Sequence, residues 1–185
     1  MKLKFYKKVS STNFLAKTVK PKIWTVIVAE TQIKGRGKDR KAWFSPKGGL
    51  YITVVLPTKS PDWLPFLNLA GGLAVAESLQ SFKLSPILKW PNDVLIRNKK
   101  VAGILSENII STKTEFSIIG IGLNTNINKF PQELRGKATS LKLEFREVDN
   151  QKLLSQIVNK LKKVLKLNKK EILKKCKQYG LQRRI

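Results

Sequence analysis

The stretch Ile87-Leu88-Lys89-Trp90-Pro91-Asn92-Asp93, continued by Val94-Leu95-Ile96-Arg97-Asn98-Lys99-Lys100-Val101-Ala102-Gly103-Ile104-Leu105, decides the fold of this chain. Its apolar and β-branched runs predict three short strands at 87–90, 94–96 and 101–105, with a tight turn between the last two. Pro91 restricts the backbone where the first strand ends. Lys89 is therefore predicted to stand at the end of a rigid element, where it is available to an anionic ligand.

Further strands and helices are predicted on both sides of this hairpin. Strands are expected near residues 4–9, 24–29, 49–56 and 116–123, and helices near 14–17, 67–82, 152–167 and 169–179. The polar run from Ser10 to Asn13 supplies capping side chains for the first helix. Because the strands gather in the first two thirds of the chain, we predict an α+β domain with a mixed or antiparallel sheet and helices on one face.

Composition limits the classes of protein that this chain can represent. A length of 185 residues suits one domain with a substantial core. The absence of histidine and the single cysteine, Cys176, exclude Ser-His-Asp and Cys-His nucleophile pairs, an intrachain disulfide and a multi-cysteine zinc site. No apolar run approaches the ~20 residues of a membrane helix, and the N-terminus lacks the apolar core of a signal peptide. We therefore expect a cytoplasmic protein that works through lysine, arginine, carboxylates, amides and backbone dipoles.

The charge balance leaves two interpretations open. The chain has 37 basic and 12 acidic residues, a net charge of +25, and between residues 151 and 185 Glu171 is the single acid among twelve basic residues. That segment also carries leucine, isoleucine and valine at helical spacing. One interpretation is an amphipathic helix packed on the domain with a solvated basic face. The other is electrostatic affinity for nucleic acid or acidic proteins.

A second polar segment, Gly35-Arg36-Gly37-Lys38-Asp39-Arg40-Lys41-Ala42-Trp43, lies upstream of the hairpin. Its glycines permit close approach of a ligand to the backbone, and four cations within six residues suit phosphate and carboxylate oxygens. The spacing matches neither a dinucleotide fingerprint nor a P-loop. A generic basic surface turn is the alternative. Because six of the nine residues at 34–42 are charged, we expect this loop to be mobile without ligand.

Several motifs, in the same order along the chain, resemble those of biotin protein ligases. They are Ser11-Thr12-Asn13, Thr31-Gln32 with Gly35-Arg36-Gly37 and Trp43-Phe44-Ser45-Pro46, the hairpin at 89–93 and 100–105, Gly120-Ile121-Gly122-Leu123-Asn124, and Ala138-Thr139-Ser140-Leu141. The resemblance covers about residues 5 to 167. It implies a catalytic domain at 1–179 with the class II synthetase-like biotin/lipoate ligase fold, followed at 180–185 by a vestige or the start of a C-terminal SH3-like module.

The resemblance also implies roles for individual residues. Lys89 and Arg36 would be catalytic, and Lys89 would contact both the biotin carboxylate and the α-phosphate of ATP. The implied biotin-binding residues are Ser11, Thr12, Asn13, Gln32, Gly35, Arg36, Gly37, Lys38, Lys89, Gly103, Gly120 and Gly122. The implied nucleotide-binding residues are Arg36, Lys38, Arg40, Lys41, Trp43, Lys89, Asn92, Asn124, Ala138 and Ser140. Asp93 would reach Mg²⁺, through water.

The implied reaction forms biotinyl-5′-AMP from biotin and ATP with Mg²⁺, and then transfers biotin to a lysine of a biotin carboxyl carrier domain of acetyl-CoA or propionyl-CoA carboxylase. A lipoate or octanoate ligase or transferase of the related fold, and a non-enzymatic basic nucleic-acid-binding protein, are the alternatives. The resemblance further implies a homodimer formed through the sheet. No helix-turn-helix precedes the domain, so specific DNA binding is not expected. Membrane association is not expected either, because no apolar run is long enough.

The glycine-rich loop departs from the family pattern at three positions. Lys38 and Lys41 stand where arginine is usual, and Arg40 stands where glycine or asparagine is common. Since arginine and lysine are not equivalent at a bidentate site, we predict weaker retention of the adenylate.

Overall fold

A computed structural model describes residues 2–111 and 114–181 of the chain. The strands are β1 (Lys2–Val9), β2 (Thr25–Gln32), β3 (Leu50–Leu56), β4 (Ile87–Lys89), β5 (Asp93–Ile96), β6 (Lys99–Ser111) and β7 (Thr114–Leu123). The helices are α1 (Thr12–Val19), α2 (Leu64–Gln80), α3 (Leu141–Glu144), α4 (Asn150–Val164) and α5 (Lys169–Lys177), with short 3₁₀ turns at Lys38–Arg40, Pro61–Trp63 and Gln132–Leu134.

The seven strands form one mixed sheet in the order β1-β2-β3-β7-β6-β5-β4. β1 runs parallel to β2, and all the other neighbouring pairs are antiparallel. The predicted mixed sheet is therefore confirmed. Strands β4 and β5, which contain the Lys89–Asp93 segment, form one edge of the sheet, and β6 and β7 lie in its interior.

Helices cover both faces of the sheet, because alternate residues of its central strands point to opposite sides. The prediction of helices on one face holds for α2, α4 and α5, which share a large core with Val26, Val54 and Ile119. α1 packs on the other face, where Ala16 meets a second cluster of Ile27, Val55, Phe116 and Ile118. The sequence pattern missed this arrangement because a helix of about two turns, with Ala16 as its one buried apolar residue, gives little periodicity.

The C-terminal basic segment forms two packed amphipathic helices, as one of the two interpretations requires. The apolar residues of α4 that the sequence placed at helical spacing are buried, namely Leu153, Leu154, Ile157, Val158, Leu161 and Val164. Asp149 caps α4, and Asn168 and Glu171 form a capping box at α5. Glu77 of α2 pairs with Lys160 and Lys175. Of the predicted vestige at 180–185, residues 182–185 lie outside the described part of the chain.

The end of β6 differs from the sequence prediction. β6 continues to Ser111 instead of ending at Leu105, and the β-branched pair Ile109–Ile110 extends its ladder with β7. Among the described residues, no helix is both long and apolar enough to cross a bilayer.

Candidate functional site

Two recesses meet on the face of the sheet that carries α1. The first recess is lined by Ser11, Thr12, Asn13, Gln32, Arg36, Gly37, Trp43, Asn92, Lys100, Gly103, Ile104, Leu105, Gly120, Ile121 and Gly122. The second recess is lined by Gly37, Lys38, Asp39, Lys41, Ala42, Trp43, Phe44, Lys89, Trp90, Pro91, Asn92, Asp93, Lys100, Asn124, Phe130, Leu134, Lys137 and Ala138. The four residues that border both recesses are Gly37, Trp43, Asn92 and Lys100.

The first recess exists because β7 changes from branched residues to glycines along one face. Ile118 faces α1 and belongs to its small core, and the next residues on that side are Gly120 and Gly122. A Cβ atom at Gly122 would lie 2.3 Å from the indole Nε1 of Trp43, and one at Gly120 would lie 2.3 Å from Oδ1 of Asn13. Trp43 and Asn13 therefore lie directly on the backbone of β7, which carries no side chain at these two positions.

One closed end of the first recess is a neutral hydrogen-bonding corner. Ser11 caps α1 by accepting from Phe14 N, and Gln32 Oε1 accepts from the Thr12 backbone N–H at 2.8 Å. Gln32 Nε2 donates to Ser45 Oγ at 2.9 Å, and that hydroxyl donates to the Trp43 carbonyl. The corner thus joins the start of α1, the end of β2 and the segment carrying Trp43 into one network of uncharged polar groups.

The glycine-rich loop folds as a small hairpin over both recesses. Gly37 N donates to Lys41 O at 2.8 Å, and Trp43 N donates to Gly35 O at 2.9 Å. Asp39 and Arg40 adopt left-handed backbone conformations between these bonds. Burial raises the pKa of Tyr51, so its hydroxyl stays protonated and donates to Pro46 O at 2.7 Å, which anchors the segment after Trp43.

Lys100 stands where the two recesses join, and sequence reasoning did not select it as a site residue. Its Nζ lies 2.6 Å from Asp93 Oδ1 and 5.1 Å from the centre of the Trp43 ring. Its half-buried ammonium therefore combines an ion pair with a cation–π contact. Lys89, the predicted catalytic lysine, borders only the second recess.

A β-bulge brings Lys100 to this position. Val94 pairs with Ala102 but Leu95 pairs with Lys100, so Val101 is an extra residue in β6. Val101 and Ala102 are both fully buried in the core, and Lys100 and Gly103 consequently face the site. Regular alternation would have put Lys100 on the same side as Ala102. In the sequence, Lys100 could have been identified as a site residue from its position directly before Val101-Ala102-Gly103, if a β-bulge in this run had been assumed.

The second recess is larger and more exposed, and it combines aromatic walls with cations. Phe44 and Phe130 are in tilted contact at 6.1 Å between ring centres. Trp43 and Trp90 add further aromatic surface, and five lysines, Lys38, Lys41, Lys89, Lys100 and Lys137, border the space. Such a lining suits a planar, apolar ring joined to several anionic oxygens.

Most of the predicted site residues are brought together by the fold, but some have their polar groups engaged within the protein. Asn13 uses both amide hydrogens and its oxygen on Leu105, Glu107 and Thr53. Asn124 is buried, and its side-chain amide donates to Thr139 O at 3.0 Å. The Asn13 side chain therefore shapes the first recess, and the amide nitrogen of Asn124 is already used within the protein.

Ser140 and Arg40 lie outside both recesses. The Ser140 hydroxyl donates to Ile127 O at 2.7 Å and accepts from Leu143 N, so it caps α3. Arg40 borders a shallower recess with Phe14, Lys17 and Lys34. Placing these residues by motif order alone missed the capping requirement of the short helix α3 and the outward turn of the loop.

The described residues contain no group of three or more histidine, cysteine, aspartate or glutamate side chains suited to a metal ion. Asp93, the predicted metal ligand, already has the Lys100 ammonium beside it. A lone, paired carboxylate does not make a dedicated magnesium site, although Mg²⁺ carried on substrate phosphates needs few protein ligands.

Comparison with known proteins gives one consistent family. The model of the biotin/lipoate A/B protein ligase family matches residues 6–124. The bifunctional ligase/repressor BirA of Bacillus subtilis is 38% identical over 123 residues, which are 63% of this chain and 38% of that protein. The biotin–[acetyl-CoA-carboxylase] ligase of Mycobacterium tuberculosis is 35% identical over 147 residues, 74% of this chain and 52% of that enzyme. The chain thus spans only part of these curated relatives.

A solved structure agrees with the sequence comparison. The biotin protein ligase from Aquifex aeolicus, in complex with biotin and ATP, superposes with a TM-score of 0.82 at 35% identity, over 89% of this chain and 70% of the other.

Proposed function

Because the chain belongs to the biotin/lipoate A/B protein ligase family, we propose that it is an ATP-dependent biotin–protein ligase. One observation carries the proposal: a recess with a neutral polar end and a recess with aromatic and cationic walls meet at a single half-buried lysine, Lys100. Biotin is a neutral ureido ring system bearing a carboxylate, and ATP is a planar base bearing phosphates. The carboxylate and the α-phosphate would therefore meet at Lys100.

In this arrangement biotin occupies the first recess. Its ureido group lies at the corner formed by Ser11, Thr12 and Gln32, where each unpaired polar group would cost about 1–3 kcal/mol. Its fused rings lie beside Gly120 and Gly122, against the Trp43 ring and the Asn13 amide that cover the backbone there. The indole N–H of Trp43, which is buried without a hydrogen-bond partner among the described residues, offers a further donor at the boundary of the two recesses.

The first chemical step joins the two ligands. A biotin carboxylate oxygen attacks the α-phosphorus of ATP, the bond to the β-phosphate bridging oxygen breaks, and pyrophosphate leaves with biotinyl-5′-AMP retained. Lys100, with Arg36 and Lys89 nearby on the loop and hairpin, neutralises two anions that repel each other as they approach. We extend to Lys100 the catalytic role predicted for Lys89, because Lys100 borders both recesses.

In the second step the ε-amine of a carrier lysine attacks the carbonyl carbon of the mixed anhydride. An amide forms, AMP leaves, and the amine loses a proton. We propose that the acceptor is a biotin carboxyl carrier domain, as the name of the mycobacterial acetyl-CoA-carboxylase ligase suggests for that enzyme. Mg²⁺ would enter with the ATP phosphates, and Asp93 would orient Lys100 and contact the ion through water. When bound, the ion screens the phosphate charge.

We also propose a homodimer formed through the sheet, whose edge strand β1 has no strand on its outer side among the described residues. The net charge of +25 on each subunit opposes association at low salt. Because the reaction consumes ATP, the cytoplasm is the compartment that we propose for it.

The decisive experiment measures pyrophosphate release from the purified protein with ATP, with and without biotin, and binding of biotin and of lipoate by titration calorimetry. We expect release that depends on biotin, and binding of biotin in preference to lipoate. Lys100→Ala should lower the rate of adenylate formation by more than tenfold, or over ~1.4 kcal/mol in the barrier. Lys89→Ala should raise the KM for ATP more than that for biotin.

Lys152→Ala is the matched control, since Lys152 is exposed on α4 at the opposite face of the sheet. It should leave both steps unchanged. Lipoate-dependent release without biotin-dependent release would replace the proposal with a lipoate ligase. Salt-sensitive nucleic-acid binding without pyrophosphate release from either acid would favour the non-enzymatic alternative.

A further inference from the structure

A polar cluster behind the first recess fastens α1 to the sheet. Glu107 on β6 accepts from Asn13 Nδ2 at 2.8 Å through one carboxylate oxygen, and its other oxygen pairs with Lys17 Nζ at 2.5 Å. Asn13 and Lys17 are four residues apart and so share one face of α1. A single carboxylate therefore holds two successive turns of the helix.

The side-chain amide of Asn13 is fixed at all of its hydrogen-bonding positions. Its oxygen accepts from the Thr53 hydroxyl at 2.7 Å, and its nitrogen donates to Glu107 and, at 3.2 Å, to Leu105 O. The same amide lies against the backbone of Gly120, where a Cβ atom would meet it at 2.3 Å. The orientation of the Asn13 amide therefore determines the depth of the first recess beside β7.

Apolar burial positions only part of this helix. Ala16 is fully buried and Leu15 packs against the same cluster, but Phe14 and Val19 are 58% and 45% exposed. The first turn of α1 nevertheless carries Ser11 and Thr12, which form the neutral corner of the first recess with Gln32. The position of the corner therefore depends on the polar cluster, and Glu107 is its shared acceptor.

We propose that Glu107 is a positioning residue for biotin: by accepting from Asn13 it sets the place of the α1 N-terminus, and hence of the Ser11–Thr12 corner. The inference rests on the proposed ligase function. Glu107 borders neither recess, but its partner Asn13 lines the first recess and not the second, so its effect should fall on biotin and not on ATP.

Two substitutions of similar volume separate this role from a general structural one. Glu107→Gln and Glu107→Met both remove the charge that pairs with Lys17, but only glutamine can still accept from Asn13. Steady-state pyrophosphate release gives the KM for biotin and for ATP, and thermal unfolding gives the stability of each variant. We expect Glu107→Met to raise the KM for biotin about tenfold, the order expected when a part-buried donor loses a charged acceptor.

In the same assay, Glu107→Gln should stay within about threefold of wild type for biotin, with the KM for ATP unchanged in both variants. Equal KM values for biotin in the two variants, or a parallel rise in both KM values, would overturn the inference. If Glu107→Met does not fold, Thr53→Val carries the test, because it frees the other end of the Asn13 amide and leaves Glu107 in place. A wild-type KM for biotin in Thr53→Val would then overturn it.

The two proposals fail in distinguishable ways. A wild-type protein without biotin-dependent pyrophosphate release contradicts the ligase function itself. A wild-type protein with that activity, whose Met and Gln variants behave alike, contradicts only the role of Glu107.

Discussion

Replacing Gly122 with alanine should displace Trp43 and damage both recesses at once. The added Cβ atom would lie 2.3 Å from Trp43 Nε1 and 2.5 Å from Cε2, whereas ordinary contacts begin at 3.4 Å. The indole must therefore move by about 1 Å. It cannot move toward β6, because the ring already lies against the backbone of the paired residue Gly103, so closely that a Cβ built there would come within 2.8 Å of it. Movement must be outward, into the space where the ligands meet.

The size of the effect follows from this displacement. Overpacking of this kind costs about 1–3 kcal/mol, and a misplacement of 1 Å near reacting groups can lower a rate by about 10²-fold. We expect kcat/KM for biotin-dependent pyrophosphate release to fall by roughly 10- to 100-fold in Gly122→Ala. The fold should persist, because the loop that carries Trp43 can yield.

A double-mutant cycle tests the cause. In the Trp43→Ala background, the extra methyl group at residue 122 no longer displaces an aromatic ring. The further loss caused by Gly122→Ala in that background should therefore be less than threefold, a non-additivity of about 1 kcal/mol or more. Equal losses in both backgrounds would refute the argument, since they would show that the methyl group acts on the ligand or on β7 and not through Trp43.

Two other expectations concern the loop and the core. Trypsin should cut the free protein at Arg36, Lys38, Arg40 or Lys41 and cut it much more slowly with biotin plus ATP, as judged by mass spectrometry of timed digests; equal rates would show that the loop is not a lid. Burial raises the pKa of Cys176 to about 12, so its thiol stabilises the fold fully below its unfolded pKa of about 8.5, and this contribution is lost as the pH rises toward 12. Urea unfolding at pH 7, 9 and 10.5 should thus show a decline in stability that is shallower in Cys176→Ala, and identical slopes would contradict it.

The sequence predicted the elements of this fold better than their contacts. Strand periodicity and the paired polar segments were enough for the mixed sheet and for the meeting of the glycine-rich loop with the hairpin, because both depend on local pattern and on motif order. The packing of α1 on the second face was not predicted, since it depends on Ala16 and on contacts of Glu107 with residues about ninety positions away in the chain.

A second cause explains why some predicted site residues have their polar groups engaged within the protein. Whether a polar side chain is free for a ligand depends on what the rest of the fold demands of it. Asn13 and Ser140 look alike in sequence as candidate binders, yet a sheet contact engages the first and a helix cap the second. Lys100 was overlooked for the opposite reason, because a one-residue irregularity in β6 turns it away from the side that strand alternation assigns.

That irregularity makes the position of Lys100 depend on the relative lengths of β5 and β6. Deleting Val101 would restore even pairing and would keep Lys100 opposite Leu95, on the ligand side. Inserting one residue between Val94 and Leu95, opposite Val101, would also restore even pairing, but strand alternation would then turn the Lys100 ammonium from the ligand side toward the apolar layer beneath α2. Two changes of one residue that leave the same regular ladder thus differ in whether the site keeps its central charge, so homologous chains whose β5 is one residue longer at this point should lack a cation at the centre of the site.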